Sequence, residues 1–295
     1  MSLTAIAIGA QNTMINFANH LLAIGKVILL SRFRVKLPEV QQEQLTVLAN
    51  GPTLQDDIKH IDSNVNAYMC VNFFAEVELY TQLKPSYYVL CDPAFFVLDS
   101  QHGLYERVMA FYRLVFEKTD WPVSFFIPYP HRKRFLKWIA ALDLHSDYLT
   151  FYYYNTTNFE GSSSLIQWLY ERRLGMPSPT SVAVPAMMLG ISMGYKRLNI
   201  TGVSHNFHQD IVVTQENKLM IRFLHFYDKG EQVSYKPFLK TDHKEGYRIS
   251  EFFMILHKMF KSYEYVALFA KRRSVTVINY TRDSFIDQFT KFNSN

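Results

Sequence analysis

Cysteine is scarce: the 295-residue chain has two, Cys70 and Cys91. Each lies in an apolar run, and neither belongs to a C-x-x-C or H-x-x-x-H pattern, so no metal site is expected. The pair reads as buried, reduced thiols, which favours a cytoplasmic setting. Charged residues make up 19% against 48% hydrophobic, a globular composition rather than a disordered one. The net charge of +5 is mild; it suits a polyanionic ligand or an anionic membrane surface. RNP, zinc-finger and helix-turn-helix signatures are all lacking, so no nucleic-acid partner is expected. The longest apolar stretch, residues 14–30, is broken by Asn16, Asn19, His20 and Lys26 and is too short and polar for a membrane span. It has neither the basic start nor the small-residue cleavage site of a signal peptide. The three-glycine dinucleotide fingerprint is also missing. No internal repeat and no Gly/Ser linker divides the chain, which is long enough for one large core.

Aromatic residues are plentiful, with 24 Phe and 19 Tyr. Most such rings belong in a core, and some line sugar or nucleotide pockets. Near the start, Met14, Phe17, Leu21, Ile24 and Ile28 fall at helical spacing, and Arg32, Arg34 and Lys36 follow. This pattern predicts an amphipathic extension over residues 1–40. It would dock on anionic lipid at the cytoplasmic face of the inner membrane, or pack on the domain or a partner subunit, the favoured alternative.

The most informative stretch is Leu48-Ala49-Asn50-Gly51-Pro52-Thr53-Leu54. A strand-like run, residues 45–48, leads into it, and Gln55-Asp56-Asp57-Ile58 reads as a first helical turn. Glycine lets backbone approach a ligand closely, proline stiffens the turn, and a helix start offers N–H groups to a phosphate. An ordinary strand-to-helix turn is the competing reading. Further strands are predicted at 67–71, 87–91, 123–127, 148–154, 197–201 and 275–279. Helices are predicted at 75–83, 101–118, 132–142, 181–193 with a break at Pro185, and 249–270. The basic face of the third of these, from Arg132, Lys133, Arg134 and Lys137, reads as a solvated surface. Residues 206–248 look irregular and lid-like. Alternating strands and helices argue an α/β domain with a mostly parallel sheet. In such sheets ligands bind beyond the carboxyl ends of the strands. There the sequence places Asn50-Gly51, Asn72, Asp92 and Gly202-Val203-Ser204-His205.

In order along residues 45–280, these segments resemble bacterial sialyltransferases of glycosyltransferase family 42. The similar segments are Ala49-Asn50-Gly51-Pro52-Thr53-Leu54, Cys70-Val71-Asn72-Phe73-Phe74, Asp92-Pro93-Ala94-Phe95-Phe96, Thr180-Ser181 through Met193-Gly194-Tyr195-Lys196 to Gly202, and Asp242-His243-Lys244-Glu245. The resemblance implies a single Rossmann-like catalytic domain over 41–295, helices on both faces of the sheet, and a lid at about 206–248. It implies transfer of a sialic-acid-like sugar from a CMP-activated donor to a hydroxyl of an oligosaccharide or glycolipid acceptor, in lipopolysaccharide or capsule assembly, with no metal or other cofactor. By the same resemblance Asn50, Gly51 and Asn72 hold the nucleotide and its phosphate. Ser181 contacts the donor, and Gly202, Ser204 and His205 lie along the cytidine. His243 is the general base, and Tyr227 stabilises the leaving group. A neutral imidazole is chemically suited to take the acceptor's proton.

The sequence departs from the family pattern at Asp92, Ser178 and Ser204, where the family has Asn, Arg and Asp. The departures leave related acid sugars such as Kdo, or another CMP- or CDP-activated group, open. Asp92 is either a nucleophile in a double displacement or, the favoured alternative, a residue that orders the turn before the helix at 101–118 or holds an acceptor hydroxyl. The competing functions are a pterin-pyrophosphokinase-like ATP/Mg²⁺ phosphotransferase and a non-catalytic nucleotide-binding protein. Homo-oligomerisation is left open.

Overall fold

The computed structural model describes residues 3–97, 103–222, 234–240 and 245–292, with side chains from Phe17 onward. The chain runs through α1 (Leu3–Leu30), β1 (Gln44–Leu48), α2 (Leu54–Asp57), β2 (Asn66–Val71), α3 (Leu79–Leu83), β3 (Tyr87–Val89), α4 (Ala94–Val97) and α5 (Tyr105–Lys118). It continues with β4 (Val123–Pro128), α6 (Arg132–Ala141), β5 (Leu149–Tyr154), α7 (Ser164–Glu171), α8 (Ala183–Met193) and β6 (Arg197–Thr201). Then come β7 (Ile211–Val213), β8 (Leu219–Ile221), β9 (Lys236–Pro237), α9 (Ile249–Arg272), β10 (Thr276–Asn279) and β11 (Thr290–Lys291).

Eight strands form one sheet in the order β11-β10-β6-β1-β2-β3-β4-β5, with every neighbouring pair parallel. Parallel strands need crossovers, which cover both faces, so the strands themselves read as continuous apolar runs. β2 and β4 are buried along their whole length. Side chains alternate between two cores. Ala67, Met69 and Val71 of β2 join α8 and α9 on one face. Tyr68 and Cys70 join α5 and α6 on the other. The α/β fold with helices on both faces is therefore present as expected.

Four local expectations are corrected. Pro185 does not break the helix at 181–193: α8 starts at Ala183, so the proline falls in its first turn, where its missing N–H breaks no helical hydrogen bond. The 75–83 helix is a 3₁₀ turn at Asn72–Glu76 followed by the short α3. The irregular 206–248 segment contains a small antiparallel sheet, β7-β8-β9, whose strands of two or three residues are too short to show a period. In α1, Ala23 and Val27 face the core, whereas Phe17, Leu21, Ile24 and Ile28 stay exposed. Packing chose the small-residue side because it lets the helix approach closely. No helix among the described residues is long and apolar enough to cross a membrane.

Candidate functional site

From β1 the chain steps outward strand by strand to β5, then returns through α7 and α8 to place β6 on the opposite side of β1. Strand order thus reverses between β1 and β6. The carboxyl ends of these strands diverge there and leave a crevice. A cleft of about 240 Å³ occupies that position. Asn50, Gly51, Asn72, Ser181, Gly202, Ser204 and His205, the expected binding residues, all line it.

Its floor is a backbone crossing. Gly51 N–H donates to the Gly202 carbonyl at 2.7 Å, and Ala49 N–H donates to the Thr201 carbonyl at 3.0 Å. A Cβ on Gly51 would lie 2.4 Å from the Gly202 oxygen, and one on Gly202 would lie 2.4 Å from the Ala49 oxygen. Gly202 also has φ +69°, a left-handed conformation that favours glycine. The two glycines are there for close approach between strands as much as to a ligand. Behind them, the buried Asp57 accepts from Thr53 Oγ1 at 2.7 Å and Thr201 Oγ1 at 3.3 Å. Burial pushes its carboxyl up from the usual range, against these hydrogen bonds. The expected helix start is the single turn α2, which continues as a 3₁₀ turn. So short an element carries little of a full helix's dipole.

Asn72 ends β2 at φ +49°, and its backbone carbonyl accepts from Tyr88 Oη. The Oδ1 atoms of both Asn50 and Asn72 are buried with no hydrogen-bond partner among the described residues. Turning either amide over would bury an NH₂ group in place of the oxygen, so an unmet polar group remains. Such groups cost free energy unless a ligand or water meets them.

His205 sits beyond β6, also left-handed at φ +51°. Its Nε2 lies 2.7 Å from Tyr263 Oη on α9, and that hydroxyl donates to Ser181 Oγ at 3.2 Å. Ser181 Oγ in turn accepts from Ala183 N–H at 3.3 Å, which fixes it at the start of α8. Three separate elements are thereby tied to one wall. Burial pulls the His205 imidazole down to about 4, so it is neutral at pH 7.

The remaining candidates fall elsewhere. Asp92 is exposed beyond β3 and is not part of the cleft lining. Its Oδ1 accepts from Ala94 N–H at 2.9 Å, a turn-ordering contact at the start of α4. Tyr227 and His243 lie outside the described residues. Sequence reading did not anticipate Asp210 and Arg222, which also line the cleft. Arg222 Nε donates to Asp210 Oδ1 at 3.1 Å, its Nη2 donates to the same oxygen, and its guanidinium lies 5.5 Å from the Tyr235 ring centre. The carboxylate raises the guanidinium further above its already high range. Arg222 closes the three-residue strand β8, whose sequence carries no motif.

A larger hollow of about 480 Å³ lies between α1, α7 and α9. There His20 Nε2 is 2.7 Å from Ser163 Oγ, which caps α7 by accepting from Ile166 N–H at 3.3 Å. None of its lining residues follows β1, β2 or β6, and the serine is already used as a cap, so the chemistry points to the smaller cleft.

No protein-family model matches the chain. No curated protein is significantly similar to it in sequence. Among solved structures, the MAf glycosyltransferase of Magnetospirillum magneticum AMB-1 is similar over 94% of this chain at 12% identity, with a TM-score of 0.46. The chain spans 38% of that protein's length.

Proposed function

We propose that the protein is a glycosyltransferase that binds a CMP-activated acid sugar in the cleft between β1, β2 and β6. The observation that carries this reading is the convergence of Asn50, Gly51, Asn72, Ser181, Gly202, Ser204 and His205 on the crevice where strand order reverses. The orphaned Asn50 and Asn72 amides are suited to a ligand rich in hydrogen-bonding groups, such as a nucleotide. Neutral donors would hold the donor's phosphate and carboxylate without a metal. Arg222 would supply the cation that Ser178 does not by turning from Asp210 to the ligand.

His243 as general base and Tyr227 at the leaving group remain part of the proposal through the family resemblance. The hydrogen bond that Asp92 accepts from Ala94 N–H favours its turn-ordering role over that of a nucleophile. Direct displacement by an acceptor hydroxyl, deprotonated by His243, is the step that follows. The C–O bond to the acceptor forms as the bond to CMP breaks, and the CMP phosphate leaves with the electron pair.

The test is incubation with CMP-sialic acid or CMP-Kdo and a lipopolysaccharide acceptor, followed by mass spectrometry. Released CMP with a matching mass gain on the acceptor is expected, in the presence of EDTA. Turnover of ATP with Mg²⁺, and of neither CMP-sugar, would overturn the reading.

A further inference from the structure

The amino-terminal helix presents an exposed apolar surface. Phe17, Leu21, Ile24 and Ile28 recur at helical spacing on α1 and remain exposed, while Ala23 and Val27 hold the helix to the core. Leu29, 82% exposed, and Phe33, 63% exposed, extend the apolar surface past the helix end. The helix is anchored on its other side: Lys26 Nζ donates to the Asn158 carbonyl at 3.0 Å, and Ser31 Oγ donates to the Leu174 carbonyl.

The segment that carries this surface has charge of one sign. Residues 1–38 contain no Asp or Glu, but they contain Lys26, Arg32, Arg34 and Lys36. A second acid-free stretch, residues 121–142, carries the basic start of α6. The fold joins the two. The guanidinium of Arg32 lies 5.7 Å from the Tyr129 ring centre and that of Arg132 lies 3.8 Å from it. Both cations also act on the Tyr153 hydroxyl, partly offsetting the upward push of burial. Arg34 and Lys36, which follow Arg32, and Lys133 and Lys137, which follow Arg132, are exposed. Through Tyr129, just beyond the end of β4, the basic start of α6 therefore meets the segment that follows α1.

We propose that this composite surface rests on an anionic lipid bilayer, with α1 lying in the interface plane. Its apolar stripe would enter the boundary between headgroups and acyl chains. The cations of residues 32–36 and of the start of α6 would face lipid phosphates. Charge complementarity selects this occupant over a second copy of the chain, because two such surfaces brought face to face would set cation against cation.

The experiment is vesicle flotation of the full chain at low salt, with phosphatidylcholine alone and with added phosphatidylglycerol. Binding is expected only to the anionic vesicles, and 0.5 M NaCl should weaken it. Leu21→Gln/Ile28→Gln and Arg34→Glu/Lys36→Glu should each reduce binding at least tenfold, with circular dichroism unchanged. The charge reversal alters exposed side chains only, so the test holds even if the apolar variant misfolds. Equal binding to neutral vesicles, no binding to either, or full binding by the charge-reversed variant would overturn the proposal. So would a stable dimer in light scattering that Leu21→Gln/Ile28→Gln dissociates while vesicle binding is absent.

Discussion

Replacing Gly202 with alanine tests whether the β1–β6 crossing builds the cleft. The added Cβ would sit 2.4 Å from the Ala49 oxygen and 2.9 Å from its carbonyl carbon, both backbone atoms that no rotamer change can move. Alanine at φ +69° adds left-handed strain of about 1–2 kcal/mol. Overpacking contributes roughly 1–3 kcal/mol more. Separating the strands would also stretch the 2.7 Å bond from Gly51 N–H to the Gly202 carbonyl, worth about 1 kcal/mol net. A loss near 4 kcal/mol would lower the melting temperature by roughly 10 °C for a chain of this size. Gly194→Ala is the control. It has φ +107° at the end of α8 with no atom within 4 Å of the added Cβ, so it carries the strain without the clash. Differential scanning fluorimetry with and without CMP should show Gly202→Ala strongly destabilised and unresponsive to CMP. Gly194→Ala should lose a few degrees and keep its response. Indistinguishable behaviour of the two variants would refute the crossing as the determinant of the cleft.

Other expectations follow from the same contacts. His205, held near 4 in the fold against about 6.5 unfolded, contributes stability that is present above 6.5 and lost as pH falls toward 4, at most about 3 kcal/mol. Urea unfolding of His205→Gln should therefore show a flatter acid limb across that window, and an unchanged slope would contradict the assignment. Tyr263→Phe removes the link between His205 and Ser181 and should cost about 1–3 kcal/mol in urea unfolding, with weakened CMP binding by calorimetry. Asn72→Gly should keep the fold and lose ligand affinity, whereas Asn72→Ala should lose a further ~1 kcal/mol of stability at φ +49°. Asp92→Asn should retain both stability and turnover, since asparagine can accept the same hydrogen bond from Ala94; abolished turnover with intact folding would restore the nucleophile.

The strand ends were legible because a parallel sheet forces polar or small residues where buried strands meet ligand. Hence Asn50, Asn72, Gly202 and His205 could be found from the runs that precede them. The contact partner of Gly51 was not legible, since nothing in the local sequence says that Gly202 will face it from β6. Arg222 and Asp210 were missed because β7 and β8 span three residues each, less than a pattern needs. The α1 stripe was read with the right period, but the helix packs on the domain through Ala23 and Val27 and not through that stripe. Periodicity identifies an apolar face but does not say whether that face or the small-residue face beside it meets the core.

The most direct test of the central claim is hydrogen–deuterium exchange of the full chain with and without CMP. The account predicts protection in residues 49–54, 71–74 and 202–207, the segments that meet at the strand-order reversal. Protection confined to residues 158–166 beside α1, or none with CMP but clear protection with ATP and Mg²⁺, would contradict it.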